Sequence, residues 1–254
     1  MLRIVGAVVL GIIVAQVALM ATSVYMHRSL AHRALQLSPG VRAVCRVLIW
    51  ISVGMRPRQW VAVHRKHHAF TDTVRDPHSP RIFGFARVQF ANGLLYRRVA
   101  RDPATLARYA RDLPEDRWDR CLLNHAVIGL GIGFGLITLL IGWELALIAA
   151  VVHAVYYLLG GGAINAIGHR WGRRPYDNFA TNNQWLAWLV VGEGLHNNHH
   201  AAATSYKLNL AKGEFDPGWW CIRLLVWLRW AKLRQPSAKG PQAECRSGLD
   251  AVPA

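Results

Sequence analysis

Acidic residues are scarce in this chain: 14 Asp and Glu stand against 30 Lys and Arg, for a net charge of +16. Cysteine is scarcer still. Cys45, Cys121, Cys221 and Cys245 form no Cys-x-x-Cys pair, which excludes a c-type heme attachment motif and an iron–sulfur cysteine set and is expected to leave four reduced thiols. No flavin fingerprint is present, and no internal repeat of solenoid period. Charge of either sign is thin overall, at 17% of residues, while 53% are hydrophobic.

What the chain does have is long apolar runs. Residues 4–26, 121–143 and 145–168 are each long enough to cross a bilayer, which takes roughly 20 apolar residues. The last two are separated by Glu144 alone, beside Gly142 and Trp143, which predicts a tight helical hairpin. Residues 47–55 and 219–230 are shorter and fenced or punctuated by arginine, as in helices that lie in the interface. Arg3 ahead of the first run is compatible with a secretory signal, but the run exceeds the usual signal core, so an uncleaved anchor is expected. From residue 235 onward the small, polar, proline-containing sequence predicts a disordered tail.

The basic charge follows this pattern. Eighteen Lys and Arg fall in residues 27–120 and eleven after residue 168, with only Arg3 before the first run. With three spans, those two regions share one side, and the positive-inside rule makes it cytoplasmic with the N-terminus outside. The charge is then mostly topological, with a share available to anionic headgroups or an acidic partner protein. No interleaving of basic and aromatic residues marks a nucleic-acid groove.

Nine of the twelve histidines gather on the predicted cytoplasmic side: His27 and His32; His64, His67 and His68; His169; and His196, His199 and His200 in "GEGLHNNHH". Both HxxHH trios have the i, i+3, i+4 spacing of one helix face, so each can present three rings to one point. Asn165 lies four residues before His169. His27 and His32 sit roughly 140° apart on a regular helix, so either the helix ends between them or each faces a different metal. Nine imidazoles exceed one coordination shell, and two ions with four or five His each account for them. Nitrogen-only ligation suits iron, zinc, copper or nickel. Glu193, Asp72, Asp76 and Asp177 are available to orient the rings. His78 is expected in a turn, and His125 and His153 as packing residues, with His153 retained as a minor functional candidate.

The motif set resembles the integral-membrane fatty acid desaturases of the Δ9 acyl-CoA or acyl-lipid type. Their three boxes, HxxxxH, HxxHH and HxxHH, correspond to His27–His32, His64–His68 and His196–His200, and their NxxxH element to Asn165 and His169. "DTVRDPHSP" and "GEGLHNNHH" agree with the flanking text, and the resemblance runs over residues 5–232. It implies two iron ions held by the nine His, with Asn165 reaching one of them through water. It also implies a bent acyl tunnel with Trp60 at its bend, and O2-dependent removal of two hydrogens. Many members carry an additional span before the first box. Here only residues 4–26 are available, which makes a homodimer one candidate for the missing cover.

The expected architecture is an all-α integral membrane protein: about three transmembrane helices, interfacial helices and a cytoplasmic His-rich di-metal domain. It occupies residues 1–234, followed by the tail at 235–254, and sits in a plasma membrane of bacterial type. The expected substrate is a fatty acyl chain on CoA, acyl carrier protein or phospholipid. Electrons must come from a separate donor such as a ferredoxin or a reductase, since no redox cofactor motif is present. The same scaffold is also compatible with acyl hydroxylation, acetylene formation or decarboxylation to a terminal alkene. A metal transporter is the alternative from a different class, and it would need ligands spread through the spans. A scaffold that keeps its metals without catalysis is a third reading.

Overall fold

The structure is a computed structural model, described here over residues 1–234; the expected tail at 235–254 lies outside the described residues. The first apolar run forms α1 (Leu2–Ala21), which continues without a break into a π-helical segment, Thr22–Ala31. A short strand, β1 (Leu35–Leu37), leads to α2 (Pro39–Ser52) and α3 (Pro57–Ala69). Each of these helices opens on a proline at its first position, where the missing N–H costs nothing. Then follow α4 (Pro80–Phe83), α5 (Phe85–Ala100) and α6 (Pro103–Tyr109). The hairpin is α7 (Ala126–Ile141) and α8 (Trp143–Ala166). It turns at Gly142, whose φ of 83° is readily open only to glycine. The chain ends in α9 (Gln184–Leu189), α10 (His196–Ala201), α11 (Pro217–Trp227) and β2 (Ala231–Leu233).

Small residues set the helix contacts. Ala7, Gly11, Ala15 and Ala18 of α1 are buried, while Ile4, Val5, Val9, Ile12, Ile13 and Val17 are exposed. The buried stripe packs on α8, and a Cβ on Gly11 would lie 2.5 Å from the Ala149 carbonyl. In lipid, tails solvate large side chains as well as a neighbouring helix does, so close backbone approach at small residues drives helix pairing. In the same way Gly129 and Gly133 of α7 lie against Trp50 and Ile51 of α2.

Two of the three expected spans are long and apolar enough to cross a membrane: Leu2–Ala31, with 30 residues, and Trp143–Ala166, with 24. The middle one is shorter than its hydropathy suggests. Residues 121–125 are drawn off the helix by a π turn at Asp119–Leu123. They are held there by the Arg56 guanidinium donating to the Asn124 carbonyl (2.8 Å) and Trp50 Nε1 donating to the His125 carbonyl (3.1 Å). The remaining 16 residues of α7 rise about 24 Å, short of a bilayer core of about 30 Å. His125, expected as a packing residue, is instead exposed at the start of α7. His153 does pack, through a 2.7 Å contact between its Nε2 and the Ser52 carbonyl.

The all-α expectation needs one amendment. β1 and β2 pair antiparallel, Leu35 opposite Leu233 and Leu37 opposite Ala231. Arg33 adopts φ 54°, reversing the chain after the π segment, and the alternation of Leu35 and Leu37 buries one face of the ladder. Helix α5 is an element that the hydropathy pattern hid. Its arginines break the apolar run, yet it lies along α8, with Gln89 Nε2 donating to the Leu159 carbonyl and Gly162 beside the Gln89 carbonyl.

Candidate metal centre

The nine box histidines converge, and they divide into two groups. His27, His32, His64, His68 and His199 form one; His67, His169, His196 and His200 form the other. The spacing that suggested one convergence point per trio acts differently. On α3, His64 and His68 turn to the five-ring group and His67 to the four-ring group. On α10, His196 and His200 turn to the four-ring group and His199 to the five-ring group. Positions i+3 and i+4 differ by about 100° around a helix, so a helix lying between two centres serves both. The two helices do so in opposite senses.

His27 and His32 reach the same group by the first of the two routes that the sequence left open. The helix ends between them, at Ala31, and it widens before it does so. The His32 N–H bonds to the His27 carbonyl at 3.1 Å, the i→i+5 pattern of a π-helix, which is often found at functional sites. One wide turn then brings the two rings edge to face, with centroids 4.9 Å and planes 80° apart.

Inside the groups, ring nitrogens face each other. In the five-ring group, His32 Nε2 lies 2.7 Å from His64 Nε2, and His199 Nε2 lies 2.8 Å from His68 Nε2 and 3.0 Å from His27 Nε2. In the four-ring group, His200 Nε2 lies 3.3 Å from His67 Nε2 and 3.2 Å from His196 Nε2. His169 Nε2 is buried with no hydrogen-bond partner.

Carboxylates decide the tautomers. Glu193 Oε1 lies 2.9 Å from His27 Nδ1, both Asp76 oxygens lie 3.0 Å from His67 Nδ1, and Asp72 Oδ2 lies 2.9 Å from His169 Nδ1. Ionised carboxylates only accept, so these Nδ1 atoms carry the proton and the Nε2 lone pairs point inward. Burial raises the pKa of Glu193, but His27, Arg28 and Ser23 outweigh it and hold the carboxyl below its ordinary value. Asp72 is likewise raised by burial and brought below its usual value by His169. Converging lone pairs without a cation would repel, and a buried nitrogen without a partner is costly. This donor set fits divalent ions bound by imidazole.

The rings of His32, His64, His68, His196, His199 and His200 have pKa values well below the ordinary imidazole value, first through burial and then through neighbouring imidazoles. They are neutral, as ligands must be. The sign follows: below about 6.5 the unfolded chain takes up protons that the fold refuses, so stability falls on acidification, by about 1.4 kcal/mol per pH unit for each ring. Above about pH 6.5 these rings make no pH-dependent contribution. Metal-free protein is therefore expected to lose melting temperature steadily as pH falls from about 6.5 to about 5. A flat melting temperature there would contradict the burial of the rings.

The surrounding shell explains the rest of "GEGLHNNHH". Asn197 is fully buried; its Nδ2 donates to the Tyr176 and Ala180 carbonyls and to Asn178 Oδ1, and its Oδ1 accepts from the Tyr176 N–H. Asn198 Nδ2 donates to the Leu208 carbonyl and to Glu214 Oε2. The spacer residues thus anchor α10 to the loops on either side. Gly192 takes φ 97°, and a Cβ there would lie 2.3 Å from Asp216 Oδ1. Asp216 also accepts from Arg28 Nη2 at 2.8 Å. The roles of Arg28, Asp216 and Glu214 were absent from the reading of the sequence. The available signal was Asp216-Pro217, a helix-capping pair that opens α11.

Trp60 stacks on His64, with centroids 4.8 Å apart and planes 12° apart, and meets His27 edge-on at 6.0 Å. Asn165 donates to the Gly161 carbonyl one turn back, and no described hydrogen bond joins it to a box histidine. His78 lies in a turn as expected but is 7% exposed. Its ring centroid is 4.8 Å from that of His67, and burial, ahead of His67, lowers its pKa to about 3. Glu193→Gln is expected to weaken metal binding by about 10–100-fold, because the His27 tautomer is no longer enforced; equilibrium dialysis measures this.

A family model described as fatty acid desaturase matches residues 4–212. The acyl-CoA C20 Delta5-desaturase of Anemone leveillei is 30% identical over 212 residues, covering 82% of this chain and 66% of that protein. Delta-9 acyl-lipid desaturase 1 of Arabidopsis thaliana is 30% identical over 226 residues, covering 85% and 70%. The hex-5-enoyl-[acyl-carrier protein] acetylenase of Moorena producens (strain JHB) is 29% identical over 272 residues, covering 94% and 81%. The chain thus spans just under two thirds of the Anemone protein's length.

Proposed function

The chain belongs to the fatty acid desaturase family, and from that premise we propose that it is a membrane-bound di-iron oxidoreductase that introduces a double bond, at Δ9, into a fatty acyl chain. The observation that carries the reading is the convergence of nine imidazoles into groups of five and four, on a frame with two helices apolar and long enough to cross a membrane. Two bound iron ions would supply the oxidising power: O2, two external electrons and two protons become two waters as two adjacent methylenes lose one hydrogen each.

The chain's own residues position and protect. Glu193, Asp76 and Asp72 hold His27, His67 and His169 with their lone pairs inward. The rings of His67, His196 and His199 are 1–2% exposed, which keeps bulk water from a strong oxidant. Trp60, lying flat on His64, offers an apolar wall against which an acyl chain can bend. Asn165 would hold one ion through water. The basic loops support a cytoplasmic position for the centre and suit an acidic electron donor such as a ferredoxin. Relatives named as Delta-9 acyl-lipid desaturases support the regiochemistry.

The acetylenase relative, matched over 94% of this chain, supports a second reading, in which an existing double bond on a carrier-protein substrate becomes a triple bond. One experiment separates the two. The protein, with a working donor, is expressed in a host lacking desaturases, and total fatty acids are read by mass spectrometry with localisation of unsaturation. A new Δ9 alkene supports the first reading and an alkyne the second. An unchanged profile from iron-loaded protein contradicts the first reading, and an unchanged profile with an alkenoic acid also supplied contradicts the second.

A further inference from the structure

His78 is the one buried histidine outside the boxes with neither ring nitrogen hydrogen-bonded among the described residues. A neutral imidazole has one N–H and one lone pair, and hiding both from water without a partner is unfavourable. Its surroundings are polar. One ligand atom each from His67, Asp76 and His78 lies within 4.8 Å of the others, and the backbone N–H of His78 donates to Asp76 Oδ1 at 3.0 Å. Asp76 follows the exposed turn at residues 73–75, where Val74 is 82% exposed, and its N–H donates to the Thr73 carbonyl at 3.0 Å. The basic neighbour Arg75 is held over the Phe70 ring at 3.8 Å rather than on Asp76, whose oxygens face His67 and the backbone N–H groups of residues 72 and 78.

His67 belongs to both arrangements. Its Nε2 faces His200 in the four-ring group and its Nδ1 faces Asp76. We propose that His67, Asp76 and His78 form a transit site for a divalent cation, through which metal passes from solution into the four-ring group. Entry of an ion would shift the His67 proton from Nδ1, where Asp76 holds it, to Nε2 facing His200, freeing Nδ1, the Asp76 carboxylate and a His78 nitrogen to hold the ion. This mixed nitrogen and oxygen set suits a borderline divalent ion that still keeps water. When the ion moves inward, the His67 proton returns to Nδ1, where Asp76 accepts it, and Nε2 becomes an inner ligand. The transit site thereby loses one ligand, so it releases its ion as the inner site fills. The inference rests on the reading of the two groups as metal sites.

Loading kinetics test it. Tag-free, metal-free protein is mixed with Co2+, and uptake is followed by the visible absorption of the ion while dialysis gives the final stoichiometry. His78→Phe and His78→Asn are expected to bind two ions per chain, as the wild type does, but to load about tenfold more slowly, in line with the effect of residues just outside a metal's ligands. In the wild type alone, uptake is expected to be biphasic, with an early species of mixed ligation, a measurement that depends on no variant folding. Equal loading rates in wild type and both variants, or single-phase uptake in the wild type, would overturn the transit site. Final binding of fewer than two ions in folded variants would also overturn it, since His78 would then be a resident ligand. Failure of the wild type to bind any ion would instead overturn the metal-centre reading itself.

Discussion

His199→Ala is expected to abolish the new unsaturation completely and to roughly halve the bound iron, because the five-ring group loses the ring that ties it together. His199 comes from α10, whereas the other four rings of its group come from the π segment, the residue that follows it, and α3. Its Nε2 lies within 3.0 Å of both His27 and His68, and its ring lies 5.5 Å from that of His200 in the other group. His196 and His200 point to the four-ring group, so that group should keep its ion. Fatty-acid mass spectrometry and metal analysis of the same preparation check both halves of the expectation. Unchanged product would remove α10 from the centre, and loss of all iron would mean that the two groups do not fill independently.

Asp216→Ala is expected to cost the fold about 3–5 kcal/mol, the usual consequence of removing one partner of a buried ion pair. Asp216 is fully buried and Arg28 is 1% exposed, with Arg28 Nη2 2.8 Å from Asp216 Oδ1. The next carboxylate, Glu193, is 3.9 Å from the same nitrogen, and it is already engaged with His27 and Ser23. Asp216 also accepts from the Leu208 N–H and caps α11 through the Trp219 N–H. Total stabilities of about 5–15 kcal/mol leave little margin for such a loss. Unfolding in detergent should show Arg28→Ala comparably damaging, since it strands the buried carboxylate. A change below about 1 kcal/mol in both variants would mean that the pair is not excluded from water.

The histidine inventory, the apolar runs and the Gly142 hairpin were legible because each depends on residue type and short-range spacing. Helix α5 was not, because arginines such as Arg87, Arg97 and Arg98 mask its apolar face in a hydropathy average. The shortening of α7 was invisible for a related reason: His125 and Asn124 are uncharged, and only the contacts from Trp50 and Arg56 show the chain leaving the helix there. His78 read as an ordinary turn residue, because its burial and its contact with His67 are not properties of the local sequence.

The available chemistry is written in residue types: nine imidazoles, few carboxylates and no redox cofactor motif, held against long apolar helices. Donor type and helix-forming hydropathy are local properties, and so they can be read from the chain. How the rings are shared between the two groups is a matter of tertiary packing. Spacing fixes the angle between side chains on one helix, but the direction in which that helix is laid is set by contacts far apart in sequence. Glu193 on His27, Arg28 on Asp216, and Asn197 and Asn198 on their flanking loops lay α10 against the π segment. The widening of that segment to i→i+5 bonds then brings His32 beneath His27. No regular helical period could have placed those two rings together.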